Sequence, residues 1–304
     1  MGPKTNSMQA STVALVKGKE RFSNCAQALR LIDDCMNLQG KRRILIKPNF
    51  VLTDHQLAAT HVEAVRAVVE FVRERSSAPI VIGESAAEGT ASDGFRNYGY
   101  VALAERYGVE LVDLAEGQFV DAQAFDRNLK PMRFQLARAV VEADFRISVC
   151  LPKTHNAVIV TLSLKNIVVG SLQSKSSIHQ GCQGINLNLY TLAKIIAPHL
   201  SVIDGYVGME GEGPGEGSEV KMELALASTD FLAADTVAAK IMGYDVDGIG
   251  YLHYCRLGKL GVGQMKDIAI CGQKLEDCIG RKFKPHHTYA EQLEWQVPDV
   301  ERYL

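Results

Sequence analysis

The stretch Arg43-Ile-Leu-Ile-Lys47-Pro48-Asn49, followed by Thr60-His-Val-Glu-Ala-Val-Arg-Ala-Val-Val-Glu-Phe-Val-Arg-Glu-Arg75 and Pro79-Ile-Val-Ile82, carries the alternation that decides the fold. Arg43 to Ile46 is short and β-branched, the composition of a buried strand. Thr60 to Arg75 sets Val62, Val65, Val69 and Val72 three and four residues apart, the spacing of one helix face turned to a sheet. Pro79 to Ile82 reads as the next strand. Strand, helix and strand in this rhythm argue for a mostly parallel sheet joined by crossover helices.

The same rhythm extends outward. Thr12 to Val16 reads as a strand, and Ser23 as the cap of a helix through Met36 with Ala26, Leu29, Ile32 and Cys35 as its buried stripe. A helix around Phe95 to Tyr107 and a strand Val109 to Leu114 complete a doubly wound first half. Ala115 to Phe134 is looser, and Phe145 to Leu151 is the next strand. Pro152 to Gly184 is rich in polar and small residues with only short helical segments, and long irregular stretches of this kind carry function. Ile185 to Ile196 reads as a helix stopped before Pro198, and Leu200 to Ile203 as a strand. Asp204 to Gly217, with six glycines and three glutamates, reads as a loop. Glu223 to Ala227 is a strand, Asp230 caps a helix to Met242, and the polar, aromatic tail after Gly280 folds back over one half or the other. The expected class is α/β, a mostly parallel sheet flanked by helices, forming one unit over residues 1–304. Residues 1–145 and 146–304 would be two lobes about a cleft at the strand carboxyl ends.

Composition narrows the function. The 304 residues hold 33 basic and 35 acidic side chains, a balance that excludes the basic footprint of a nucleic-acid binder. No apolar run reaches the roughly 18 residues of a membrane span, and Met1 to Ser11 lacks a secretory apolar stretch, so a cytoplasmic protein is expected. The seven cysteines are scattered without any CxxC, which fits buried thiols rather than a zinc site or cluster. Helix faces rich in Ala and Val suit the interface of a homo-oligomer as well as a core.

The chemistry-bearing residues follow strand ends, where open α/β sheets bind ligands. Pro48 forces Lys47 into extended backbone and so presents it, with Asn49, to an anion. Gly83-Glu84-Ser85 repeats this one strand later, with Glu84 a candidate base. The richest segment holds Lys153-Thr154-His155, then Lys165-Asn166 and Gly170, then His179, all within 27 residues. A lysine beside other cations loses pKa and a histidine titrates near neutrality, so this set suits proton transfer, a covalent lysine adduct or metal ligation. Glu210 and Glu212 of the glycine-rich loop add oxygen ligands for a divalent metal, with His155 and His179 as nitrogen ligands. His286-His287, in the polar tail, reads as a surface pair. GxGxxG, Walker and HExxH patterns are absent.

These residues resemble domain-of-unknown-function family 362, whose members show a strand-ending KPN, a KTH, an LKN followed by a glycine, and a D-G…M-E-G-x-G-P-x-G segment. Lys47 to Asn49, Lys153 to His155, Leu164 to Asn166 with Gly170, and Asp204 to Gly217 match in order, and Ala227-Ser-Thr-Asp230…Ala234-Asp235 continues the pattern. Many members carry a ferredoxin-like cysteine module, which this chain lacks; for this chain the resemblance implies a ferredoxin-like partner. More distantly, His155-x9-Lys165-x4-Gly170…Ile178-His179 is similar to the core of the nickel-pincer-nucleotide lactate racemases. That likeness implies a nickel-pincer-like nucleotide tethered to Lys165, with His155 and His179 as metal ligand and acid/base. Lys47 and Glu84 stand where that family has other residues.

The leading expectation is an enzyme acting on a small anionic, hydroxy-acid-like substrate by isomerase, epimerase or lyase chemistry. Lys165, His155, His179 and Glu84 would be catalytic, and Lys47, Asn49, Lys153, Thr154, Asn166 and Gly170 would bind substrate. Two other readings stay open: a redox protein serving an iron-sulfur partner, and a non-catalytic anion-binding module.

Overall fold

The computed structural model describes residues 11–304. The expected strands and crossover helices form in chain order: β1 (Ser11–Lys17), α1 (Arg21–Leu31), β2 (Ile44–Lys47), α2 (Val62–Arg73), β3 (Ile80–Glu84), α3 (Ala91–Asn97), α4 (Tyr100–Tyr107) and β4 (Glu110–Asp113). Then follow β5 (Phe119–Phe125), β6 (Pro131–Ala137), α5 (Arg138–Val141), β7 (Phe145–Cys150), β8 (Lys153–His155), β9 (Ile159–Thr161), α6 (Ser163–Val169) and α7 (Gly181–Ile196). The chain closes with β10 (Leu200–Glu210), β11 (Ser218–Ser228), α8 (Phe231–Ile241), α9 (Gly250–Leu257), β12 (Ile268–Gly272) and α10 (Tyr289–Gln292).

The main sheet runs β12-β1-β11-β10-β7-β2-β3-β4. β10, β7, β2, β3 and β4 pair in parallel, and β11 lies antiparallel to both β10 and β1. β11 is thus the one reversed strand of the eight on this path, as a mostly parallel α/β sheet requires. Alternation along each strand divides two cores. Ile44, Ile46, Ile80, Ile82, Ile147 and Val149 face α1 to α4, whereas Leu45, Val81 and Cys150 face α6 to α9. Burying each such aliphatic side chain stabilises the fold by about 1.5–3 kcal/mol, so the strict in/out order of these strands sets the register. Among the described residues no helix is long and apolar enough to cross a membrane.

Several local expectations need correction. Helix α1 begins after Glu20, and Ser23 lies inside it, bonding Glu20 instead of capping. The helix ends at Leu31, and Cys35, expected in its buried stripe, is exposed in the turn beyond. The helix expected from Phe95 to Tyr107 is two, broken at Gly99, whose φ of 80° leaves the helical region. Ala115 to Phe134 holds most of the β5–β6 hairpin, whose alternation has the short reach of an isolated two-stranded ribbon. Only the second half of Asp204 to Gly217 is a loop: β10 runs on to Glu210, and residues 211–217 turn before β11. Its glycines make room instead of breaking the strand. A Cβ at Gly208 would sit 2.9 Å from the Phe283 ring, and one at Gly205 would lie 2.3 Å from Leu224. The extension of β10 past the sheet carries β8, paired Met209 to Lys153, and the tail docks on it through Gly211 N–H donating to Lys284 O.

Candidate functional site

The winding of the sheet reverses between β2 and β7, because connections from β2 step outward to β3 and β4 while β7 leads the other way to β10. A crevice forms at the carboxyl ends of strands at such a switch point. Here it is a cleft of about 670 Å³ lined by Lys47, Asn49, Glu84, Ser85, His155, Lys165, Asn166, Gly170, Lys175, His179, Glu212 and His286. A larger cavity of about 940 Å³, around Lys240, Tyr244 and Arg256, contains none of the motif residues.

Lys47 forms the floor. Its side chain is fully buried, and Nζ donates to Glu84 Oε2 at 2.6 Å, Pro48 O at 2.9 Å and Asn166 Oδ1 at 3.1 Å. All three ammonium hydrogens are spent inside the protein, so the expected anion clamp at Lys47 is instead a structural ion pair. Burial pushes the Glu84 carboxyl up and the Lys47 charge pulls against it. Gly170 is required by the same packing, since a Cβ there would lie 2.1 Å from Lys47 Cε. Asn166 is fixed further by Nδ2 donating to Ser148 Oγ at 3.0 Å, and Ser85 Oγ donates to Gly170 O at 2.8 Å.

Lys153 lies behind the cleft wall. Nζ donates to Asn49 Oδ1 at 2.5 Å and Ala58 O at 3.1 Å, and among the described residues no carboxylate pairs with it. Burial first, then the charge of Lys165, brings it down to about 7. Thr154, expected to touch substrate, faces away and donates Oγ1 to Gly211 O at 2.9 Å, pinning the turn after β10. A Cβ at Gly213 would meet Thr154 O at 2.2 Å, so that turn closes only on glycine.

Lys165 and Asn166 are the polar side chains carried inward by α6, which is buried on every side. The helix start is held in trans. Asp235 of α8 accepts Ser163 N–H at 2.9 Å through Oδ1 and Leu164 N–H at 3.0 Å through Oδ2. Burial pushes Asp235 up to about 7, opposed by those two bonds. Lys165 Nζ has no hydrogen-bond or carboxylate partner among the described residues and faces the cleft. Burial, then the Lys47 charge, lowers it to about 7, which brings the neutral amine within reach of neutral pH.

Two histidines face the same space. His155 Nδ1 accepts Ala157 N–H at 3.0 Å, which leaves the hydrogen of the neutral ring on Nε2. Burial, then the charges of Lys165 and His179, hold His155 well below its usual range. His179 is lowered by burial and then Lys165. Lys175, not singled out in the sequence, also lines the cleft, lowered mainly by burial. Its only sequence signal is membership of the same polar stretch.

The carboxylates divide differently from expectation. Glu210 is outside the cleft, bound by Arg281 through two 2.6 Å contacts and by Lys284 N–H at 2.8 Å, so it is no metal ligand beside His155 and His179. Glu212 is at the rim and meets His287 Nδ1 at 2.6 Å and His286 Nε2 at 3.2 Å. The tail pair read as surface is thus half right: His287 is exposed, but His286 is buried against the cleft. Nothing local marks this, because the contact spans over seventy residues.

The domain-of-unknown-function model DUF362 matches residues 44–240, the span that holds the strand-end motifs. The chain is 29% identical over 211 residues to the thylakoid-associated protein sll1697 of Synechocystis sp., covering 67% of this chain and 64% of that protein. It therefore spans less than two thirds of that relative. Among solved structures it is similar to the lactate racemase apoprotein of Thermoanaerobacterium thermosaccharolyticum, with a TM-score of 0.50 and 12% identity over 76% of this chain and 57% of that one. That likeness is one of fold. The family match covers well over half of the chain, and this chain belongs to the DUF362 family.

Proposed function

We propose that the cleft is the active site of an enzyme that moves a proton on a small anionic, hydroxy-acid-like substrate, in an isomerase or epimerase reaction. The observation that carries this is Lys165, an amine without a partner among the described residues, lowered to about 7 in a cleft that two histidines also line. A lysine held only to bind an anion has no need of such tuning, whereas a general base works best near the ambient pH.

In this reading the neutral Lys165 amine takes the proton from the carbon beside the substrate carboxylate and becomes an ammonium. The electron pair moves onto carboxylate oxygen, where the His155 Nε2–H donates a hydrogen bond and Lys175 supplies positive charge. Inversion requires His179 to enter the step as the imidazolium: it gives its proton to the other face and becomes neutral, the state its surroundings favour, and the proton on Lys165 then leaves to solvent; a proton returned from Lys165 restores the centre. Glu84 takes no step in this reading, because Lys47 is bonded to it.

The same free amine and the nitrogen donors beside it fit a tethered nickel-pincer-like nucleotide, with Lys165 as the attachment point and His155 or His179 as metal ligand. Such a group would supply hydride acceptance at a carbinol carbon.

The test is exchange of the α-hydrogen of a panel of 2-hydroxy acids in D2O, followed by proton NMR. Exchange by the wild type and its loss by at least a hundredfold in Lys165→Ala is expected. Unchanged exchange in Lys165→Ala would sink the proposal.

A further inference from the structure

We infer that Glu212, His286 and His287 form a binding site for one divalent transition-metal ion of the Zn2+ or Ni2+ type at the mouth of the cleft. The inference is independent of the reaction proposed above. Each of the three offers one ligand atom, and these atoms all lie within 4.8 Å of one another, the sole such group of three or more His, Cys or carboxylate side chains among the described residues. Ligands about 2.0–2.1 Å from a zinc ion in tetrahedral array stand roughly 3.3 Å apart. Glu212 Oε2 is already 3.2 Å from His286 Nε2. The exposed His287 ring needs only a small swing to open its 2.6 Å contact with the same oxygen.

The surroundings of His286 supply the acceptor that the second nitrogen of a ligating histidine needs. Thr288 Oγ1 donates to Asn156 O at 3.0 Å and accepts from Gln292 Nε2 at 2.8 Å. Its hydrogen is therefore used, and its 2.9 Å contact with His286 Nδ1 is a bond only if that nitrogen carries the hydrogen. Thr288 N–H also donates to Nδ1 at 3.2 Å in the other tautomer, so an ion on Nε2 would select the form whose Nδ1–H donates to Thr288 Oγ1. With Nδ1 protonated, the lone pair of neutral His286 is on Nε2, aimed at Glu212. A ligating histidine whose second nitrogen donates to a fixed oxygen is the usual arrangement in metal sites. Two imidazoles and one carboxylate match the nitrogen and oxygen preference of zinc, nickel and iron over calcium or magnesium.

Three protein ligands leave a coordination position open. Glu212 and His286 line the cleft, so the open position is beside the space that holds Lys165 and His155. The ion would also tie the tail to the turn after β10, adding to the Gly211 to Lys284 bond and the Glu210 to Arg281 pair.

The full chain, stripped with chelator and dialysed against Zn2+ alone, should bind one ion per chain, counted by elemental analysis, and Co2+ in its place should give visible d–d absorption. Glu212→Gln and His287→Ala are at exposed positions that leave the fold intact, and each should weaken binding at least tenfold. Thr288→Val, which removes the oxygen behind His286 together with its bonds to Asn156 O and Gln292 Nε2, should weaken it several-fold. Absence of stoichiometric Zn2+ binding, or binding unchanged in both Glu212→Gln and His287→Ala, would overturn the inference.

Discussion

Lys47 Nζ lies 2.6 Å from Glu84 Oε2 with both side chains removed from solvent, and this pair joins the ends of β2 and β3 beneath the cleft. Two charges in low dielectric hold each other only while both are present. Glu84→Gln or Lys47→Met alone should cost about 3–5 kcal/mol, whereas the double replacement should recover much of that loss. Urea unfolding of the two single variants and the double variant measures the coupling. Equal and additive losses would show that the pair does not act as a unit.

Gly170→Ala should act on the same floor from above. The added Cβ would be 2.1 Å from Lys47 Cε and 2.3 Å from Nζ, and that ammonium is tethered to three acceptors and cannot swing away. Overpacking of this kind costs about 1–3 kcal/mol. A variant of wild-type stability would show that Lys47 has another place to go.

The amine of Lys165 should react as a group titrating at about 7 and not near 10.5. Competitive acetylation against pH, read by mass spectrometry of the α6 peptide, gives this directly. In the Lys47→Met/Glu84→Gln chain the midpoint should move up, because the Lys47 charge is the cause after burial. A midpoint at the ordinary lysine value in the wild type would remove the chief support for the proposed catalysis.

Stability should depend on pH with a definite sign. Lys153 and Lys165 fall to about 7 on folding, so between about 7 and 10.5 the unfolded chain binds more protons and stability rises with pH. Each lysine contributes a slope of at most about 1.4 kcal/mol per pH unit. Asp235 works oppositely: raised to about 7, it binds more protons folded than unfolded from 3.8 to about 7, so its contribution falls as pH rises across that window. Denaturation of wild type and Lys165→Met at pH 7 and pH 9 should give a smaller gain in the variant. Equal gains would contradict the assignment.

Asp235→Asn should loosen α6. The carboxylate serves two N–H groups through separate oxygens, and an amide has one acceptor, so either Ser163 or Leu164 N–H loses its partner at a cost of about 1–3 kcal/mol. Lys165 and Asn166 ride on that helix, so acetylation of Lys165 should also speed up. Loss of stability without any change at Lys165 would limit Asp235 to a structural role.

Strand ends and helix faces were legible because they depend on neighbours within a few residues. Ile44 to Ile46 and Val65 to Val72 bury in the alternation their spacing implies, and Lys47, Glu84, His155 and Lys165 reach one cleft from strand ends or the helix after them, while His179 reaches it from the connection between α6 and α7. The glycine-rich segment was misread because its glycines signal loop locally, while pairing with β11 and close approach of Phe283 override that preference.

The sequence by itself determined the α/β class, the parallel strands, the family and the identity of the cleft-forming segments, all of which follow from periodicity and short motifs. Only the tertiary structure decided which cations are spent and which are available. Lys47 and Lys165 look alike in sequence. One is neutralised by a carboxylate 37 residues away, and the other has no partner among the described residues and sits in an environment that disfavours its charge. The same holds at the rim, where His286 meets Glu212 from 74 residues along the chain. Electrostatic pairing is set by distance in space and by burial, and neither is written in the spacing of residues along the chain.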